Sequence, residues 1–144
     1  MTRREFLRRL EAMSAAAVAG ASAIPFTGCL GFYYVDSTLV GSRVMVRRSE
    51  FGANPFVLID APSEALPIFV IRDDDGSYTA LSTRCMHRGC QVEPAGGRLV
   101  CPCHGSEYAT DGAVLKGPTE RPLRRFPVSV EGDAIAIELA GPAR

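Results

Sequence analysis

The sequence carries no net charge of either sign: 16 basic and 16 acidic side chains balance over 144 residues. A nucleic-acid surface needs an excess of Lys and Arg, so the balance argues against one. The chain also lacks a helical hydrophobic period. No window of a dozen residues repeats its apolar side chains at 3.6-residue spacing, which argues against a helical body. No internal repeat is present, and no low-complexity segment outside the N-terminal stretch, so repeat architectures are set aside. Histidine is scarce, with two in the chain, and cysteine is odd in number, with five. Both histidines and four of the cysteines fall into two short boxes, Cys85-Met86-His87-Arg88-Gly89-Cys90 and Cys101-Pro102-Cys103-His104-Gly105-Ser106-Glu107-Tyr108. The length suits one domain.

The charges are unevenly placed. Arg3, Arg4, Arg8 and Arg9 crowd the start, and the chain beyond residue 28 holds 12 basic and 14 acidic residues. The segment Thr2-Arg3-Arg4-Glu5-Phe6-Leu7-Arg8 resembles a twin-arginine export signal, and an uncharged, Ala/Gly-rich stretch of 24 residues follows over 12–35. Residues 1–31 are therefore expected to be a signal and anchor segment, placing the body on the outer face of a bacterial cytoplasmic membrane. Phe26-Thr27-Gly28-Cys29 is close to a lipobox, and lipidation of Cys29 accounts for the odd cysteine. The rival is an uncleaved membrane helix, for which the uncharged stretch exceeds the ~20 residues needed. The interruption at Pro25 favours the lipid.

From residue 32 to 144 short apolar runs alternate with turn residues. Strands are expected at 43–47, 56–60, 66–72, 77–82, 98–101, 106–109, 113–115, 126–130 and 134–139, with Asp75-Gly76 and Asp111-Gly112 marking hairpins. Seven to nine short strands predict an all-β fold, a small antiparallel barrel or sandwich. The stretch 33–39 is expected to serve as a tether or hinge, or to belong to the first strand.

Thiolates suit iron–sulfur clusters and zinc, and imidazole suits zinc, copper and iron. A Cys-x-His in one box and a Cys-x-x-His in the other offer two sulfurs and two nitrogens. Taken alone, that set fits a structural zinc site about as well as an iron–sulfur centre.

The two boxes resemble the cluster-binding loops of the Rieske iron–sulfur proteins, C-x-H-x-G-C and C-P-C-H-G-S-x-Y. The resemblance covers about 81–123, the expected cluster-binding part of the domain. It implies one [2Fe–2S] cluster per chain, held by Cys85, His87, Cys101 and His104, with two histidines replacing two cysteines on one iron. It implies a disulfide between Cys90 and Cys103, tying the two loops together. It also implies that the hydroxyls of Ser106 and Tyr108 donate hydrogen bonds to sulfur. Such bonds stabilise the reduced cluster and raise its potential, toward the upper part of a range of about −150 to +300 mV. Lys116-Gly117-Pro118 matches the proline-containing third loop of quinol-oxidising members.

By the same resemblance, His104 is the residue that meets a quinol. The expected function is that of an electron-transfer subunit rather than a complete enzyme, taking electrons from quinol in a cytochrome bc-type complex and passing them to a cytochrome c-like acceptor. Arg88 stands where bc-type members commonly carry Leu, and it suits a charged partner. The alternative is a lipid-anchored or soluble periplasmic Rieske carrier, or the small subunit of a periplasmic oxidoreductase resembling arsenite oxidase.

Overall fold

A computed structural model describes residues 33–139. Twelve strands form three four-stranded antiparallel sheets. The first contains β1 (Thr38–Val40), β2 (Arg43–Arg47), β12 (Ala134–Glu138) and β11 (Val128–Glu131), in that order across the sheet. The second runs β10 (Arg125–Phe126), β5 (Tyr78–Ser82), β4 (Ile68–Arg72), β3 (Phe56–Ile59). The third runs β6 (Glu93–Ala95), β7 (Arg98–Val100), β8 (Glu107–Ala109), β9 (Val114–Lys116).

The sequence decides which sheet lies in the middle. In β2, Val44 and Val46 are buried and their neighbours are not, the pattern of a strand with one wet face. In β3 and β4 the apolar residues run continuously and are buried in succession, and in β5 Thr79, Ala80, Leu81 and Ser82 are buried in succession. Such strands need cover on both faces. One face, with Val57, Ile59, Ile68, Val70 and Ala80, packs with Val44, Val46, Ile135 and Ile137 of the first sheet. The other face presents Leu58, Phe69 and Leu81, which are direct cross-strand neighbours. They pack with Val92, Leu99, Cys85, Cys101 and Tyr108. The row Leu58-Phe69-Leu81 is thus the floor on which the cysteine boxes rest.

The strand count exceeds the seven to nine expected. β1 shows no burial at all, so no hydrophobic pattern announces it, and only its backbone pairing with Arg43, Val44 and Met45 defines it. β6 contains Pro94, which its sequence disguises as a turn. Pro127 divides the expected 126–130 run into β10 and β11, which join different sheets.

The stretch 33–39 is not a free hinge. The Leu58 amide donates to the Tyr33 carbonyl at 2.8 Å, and the Val35 amide donates to the Leu58 carbonyl at 3.0 Å. The Ser37 hydroxyl then donates to the Asp60 carbonyl at 3.0 Å before the chain enters β1. The segment therefore runs from the edge of the second sheet to the edge of the first, bonded to both. Among the described residues no helix is long and apolar enough to cross a membrane. The leader, with Cys29, lies outside the described residues.

Candidate metal centre

Each box forms a tight loop between strands, the first from β5 toward β6 and the second from β7 to β8. Both loops close the same way. The Gly89 amide donates to the Cys85 carbonyl at 2.8 Å, and the Gly105 amide to the Cys101 carbonyl at 3.0 Å. The Cys85 amide donates to the Cys90 carbonyl, and the Cys101 amide to the Ser106 carbonyl, each at 2.8 Å. The two glycines sit at φ 80° and 75°, left-handed values that side chains resist.

This closure brings the expected residues together. Cys85 and Cys101 are free thiols, each 2% exposed. The imidazoles of His87 and His104 meet edge to face, with centroids 4.8 Å apart. His104 is exposed, whereas His87 is half-buried and its Nδ1 is buried with no hydrogen-bond partner. Cys90 and Cys103 form a disulfide, linking the loops. The sulfurs of Cys90, Cys101 and Cys103 lie within 4.8 Å of one another, but the bonded pair has no thiolate to offer a metal.

The hydroxyls are oriented by backbone amides. The Met86 amide donates to the Tyr108 oxygen at 3.1 Å, and that oxygen lies 3.3 Å from Cys85 Sγ. With its oxygen occupied as acceptor, the hydroxyl proton is directed to the sulfur. Ser106 repeats the device: fully buried, its oxygen accepts from the Thr119 amide at 3.2 Å. Its proton is likewise free for a nearby acceptor.

The two thiols are not equivalent. Burial pushes Cys85 up, but hydrogen bonds from the Tyr108 hydroxyl, the His87 amide, the Cys101 thiol and the Arg88 amide outweigh it and lower its pKa. Burial pushes Cys101 up and prevails, aided by Cys85, over the amides of Cys103 and His104. Burial, then Cys85, also raises Tyr108, which keeps that hydroxyl a donor. In each loop the amides two and three residues after the cysteine point at its sulfur. This is an arrangement that stabilises thiolate.

Two buried thiols, an imidazole nitrogen with no protein partner and a second imidazole beside it make a donor set of two sulfurs and two nitrogens. It fits a [2Fe–2S] cluster with histidines on one iron. The protein belongs to the Rieske [2Fe-2S] domain family, whose pattern matches residues 40–127, and takes the cluster of that family. The chain is similar to the cytochrome b6-f complex iron-sulfur subunit of Chlorobaculum tepidum, 36% identical over 90 residues, which are 56% of this chain and 50% of that protein. It is 46% identical over 76 residues to the chloroplastic cytochrome b6-f complex iron-sulfur subunit of Bigelowiella natans, 49% of this chain and 30% of the relative. The chain spans half or less of the length of these curated relatives. Among solved structures it resembles the plasma membrane Rieske protein PetC3 from Synechocystis PCC 6803, with 34% identity and a TM-score of 0.57. That match covers 64% of this chain and 94% of the other.

Two residues essential to the site's geometry carry no signal in the sequence. Met86 and Thr119 act through their amides, so their side chains do not reveal the role. Thr119 follows the Gly117-Pro118 pair and is itself buried, which brings the third loop against Ser106.

Proposed function

We propose that the chain is the electron-transfer subunit of a quinol-oxidising, cytochrome bc-type complex, with Cys85, His87, Cys101 and His104 as cluster ligands. The observation that carries this reading is the exposed His104 ring set against the half-buried His87, whose Nδ1 lacks a partner. When bound, the cluster supplies one-electron chemistry at a potential raised by hydrogen bonds to sulfur. His104 uses one ring nitrogen as a ligand. Its other nitrogen accepts a hydrogen bond from a quinol hydroxyl and holds the proton released as the quinol gives up one electron. Tyr108 and Ser106 direct their protons to sulfur. The Cys90–Cys103 disulfide ties the two loops together.

In this reading residues 1–31 direct export by the twin-arginine route and anchor the chain, by a lipid on Cys29 or by a helix, at the outer face of the membrane. The domain from residue 32 onward then works against cytochrome b- and c-type partners. Support comes from the curated relatives, which are subunits of cytochrome b6-f complexes.

Affinity purification from membranes tests the proposal. A co-purifying b-type cytochrome, with quinol-dependent reduction of the cluster, is the expected result. A second reading, an anchored or soluble Rieske carrier that does not meet quinol, draws on exposed Arg88 in the first loop and on the match to 94% of the PetC3 chain. A molybdenum-containing partner, or none, favours that reading. Mass spectrometry of the mature N-terminus separates a lipidated Cys29 from a retained helix.

A further inference from the structure

Three arginines meet at the first cluster loop, one within it and two reaching it from outside. Arg88 belongs to it and is exposed, in the place that exposed His104 takes in the second loop. Arg121 reaches in from the third loop, its Nη2 donating to the Met86 carbonyl at 3.4 Å. Arg84 folds over the loop's glycine, and a Cβ added at Gly89 would lie 3.2 Å from its Nη2. Among the described residues no carboxylate lies within 4.0 Å of any of the three. Of the eight other described basic residues, Arg43, Arg47, Arg98, Lys116 and Arg124 pair with Glu side chains, while Arg48, Arg72 and Arg125 do not, and what sets Arg84, Arg88 and Arg121 apart is their place at one cluster loop. Glu120, next to Arg121 in the sequence, is exposed and in no ion pair among the described residues.

The rest of the molecule has the opposite sign. Residues 81–123 hold five basic and four acidic side chains, whereas the other described residues hold six basic and ten acidic. Like charges gathered on one loop repel one another, and burial is not what holds these three, since all are exposed. A counter-charge from outside offsets that repulsion. An acidic body behind a basic tip also makes a dipole that turns the cluster end toward a negative partner.

We propose that Arg84, Arg88 and Arg121 form a docking surface for an acidic patch on a redox partner, steering that partner to the cluster beside His104. The inference deepens the electron-transfer reading and rests on it. Small redox probes of opposite charge test it on the cluster-loaded protein. The reduced protein is oxidised by ferricyanide, an anion, and by tris(phenanthroline)cobalt(III), a cation, while salt rises from about 10 to about 500 mM, a range that screens steering. The ferricyanide rate should fall about tenfold, a typical steering effect, and the cobalt rate should stay flat or rise. The net acidic charge of the described chain, acting alone, gives the reverse order. Combining Arg84→Gln, Arg88→Gln and Arg121→Gln should flatten the ferricyanide dependence, while Arg72→Gln, on β4, should leave it unchanged. A cluster-loaded wild-type protein whose ferricyanide rate is flat or rises with salt overturns the docking surface and leaves electron transfer standing. A chain that takes up no cluster overturns both.

Discussion

The two cluster loops share one backbone and differ in what they hang on it. Shifted by sixteen residues, Cys85 matches Cys101, Gly89 matches Gly105 and Cys90 matches Ser106. The same amide-to-carbonyl bonds close each loop, and the same amides face each sulfur. The proposed histidine ligand moves by one place: His87 is third in its loop and His104 is fourth. The fourth position is exposed in both loops, carrying Arg88 in one and His104 in the other. One repeated turn therefore yields two unlike histidines, one half-buried and one open to a partner. In the proposed function, the two roles arise from breaking a local symmetry by a single residue, with the backbone unchanged.

Removing a thiol should have the largest effect. Cys85→Ala or Cys101→Ala should abolish the cluster, read as loss of visible absorbance and of the paramagnetic signal on reduction. Cluster retention in either variant would show that the loops are not paired as proposed. Next is the tie between the loops. With a sequence separation of 13 between its halves, loss of the Cys90–Cys103 disulfide through Cys90→Ser should cost about 3 kcal/mol, measured by denaturant unfolding. Unchanged stability would mean that the loops hold their spacing without it.

The glycines sharpen the comparison further. Gly105→Ala should cost about 1 kcal/mol, the strain of a left-handed residue with open space around it. Gly89→Ala carries the same strain and must also displace the Arg84 guanidinium. It should therefore be the worse of the two in thermal unfolding, and it should perturb the docking surface as well. Equal costs would show that Arg84 moves freely. The smallest effect belongs to the sulfur's second partner. Tyr108→Phe should lower the midpoint potential by about 40 mV, the one-electron equivalent of a roughly 1 kcal/mol hydrogen bond. Redox titration reads the shift, and an unchanged potential removes the Tyr108 proton from the account.

Legibility from sequence followed the same division between side chain and backbone. β2 was readable at its observed bounds because Val44 and Val46 alternate with polar or half-buried neighbours. β3, β4 and β5 of the middle sheet were readable as strands, but their burial on two faces emerged only from the structure. β1 was readable only as the alternative that 33–39 belongs to the first strand, because it is held by backbone pairing alone, and the strap at 33–37 escaped for the same reason. At the site, the boxes carry their own signal: soft ligands at short spacing, glycines where the turn is left-handed, hydroxyls two residues apart. The aim of those hydroxyls depends on the Met86 and Thr119 amides, which no side-chain pattern reports. The convergence of Arg84 and Arg121 on one loop was hidden by their separation of 37 positions, which the fold closes.

In the proposed site two histidines, and only they, supply nitrogen to the cluster. Because the sequence contains just two, labelling histidine with ¹⁵N marks both and nothing else. Pulsed electron paramagnetic resonance of the reduced, labelled protein should show two strongly coupled imidazole nitrogens, falling to one or to loss of the cluster in His87→Cys. A cluster signal with no strong ¹⁵N coupling would contradict the claim.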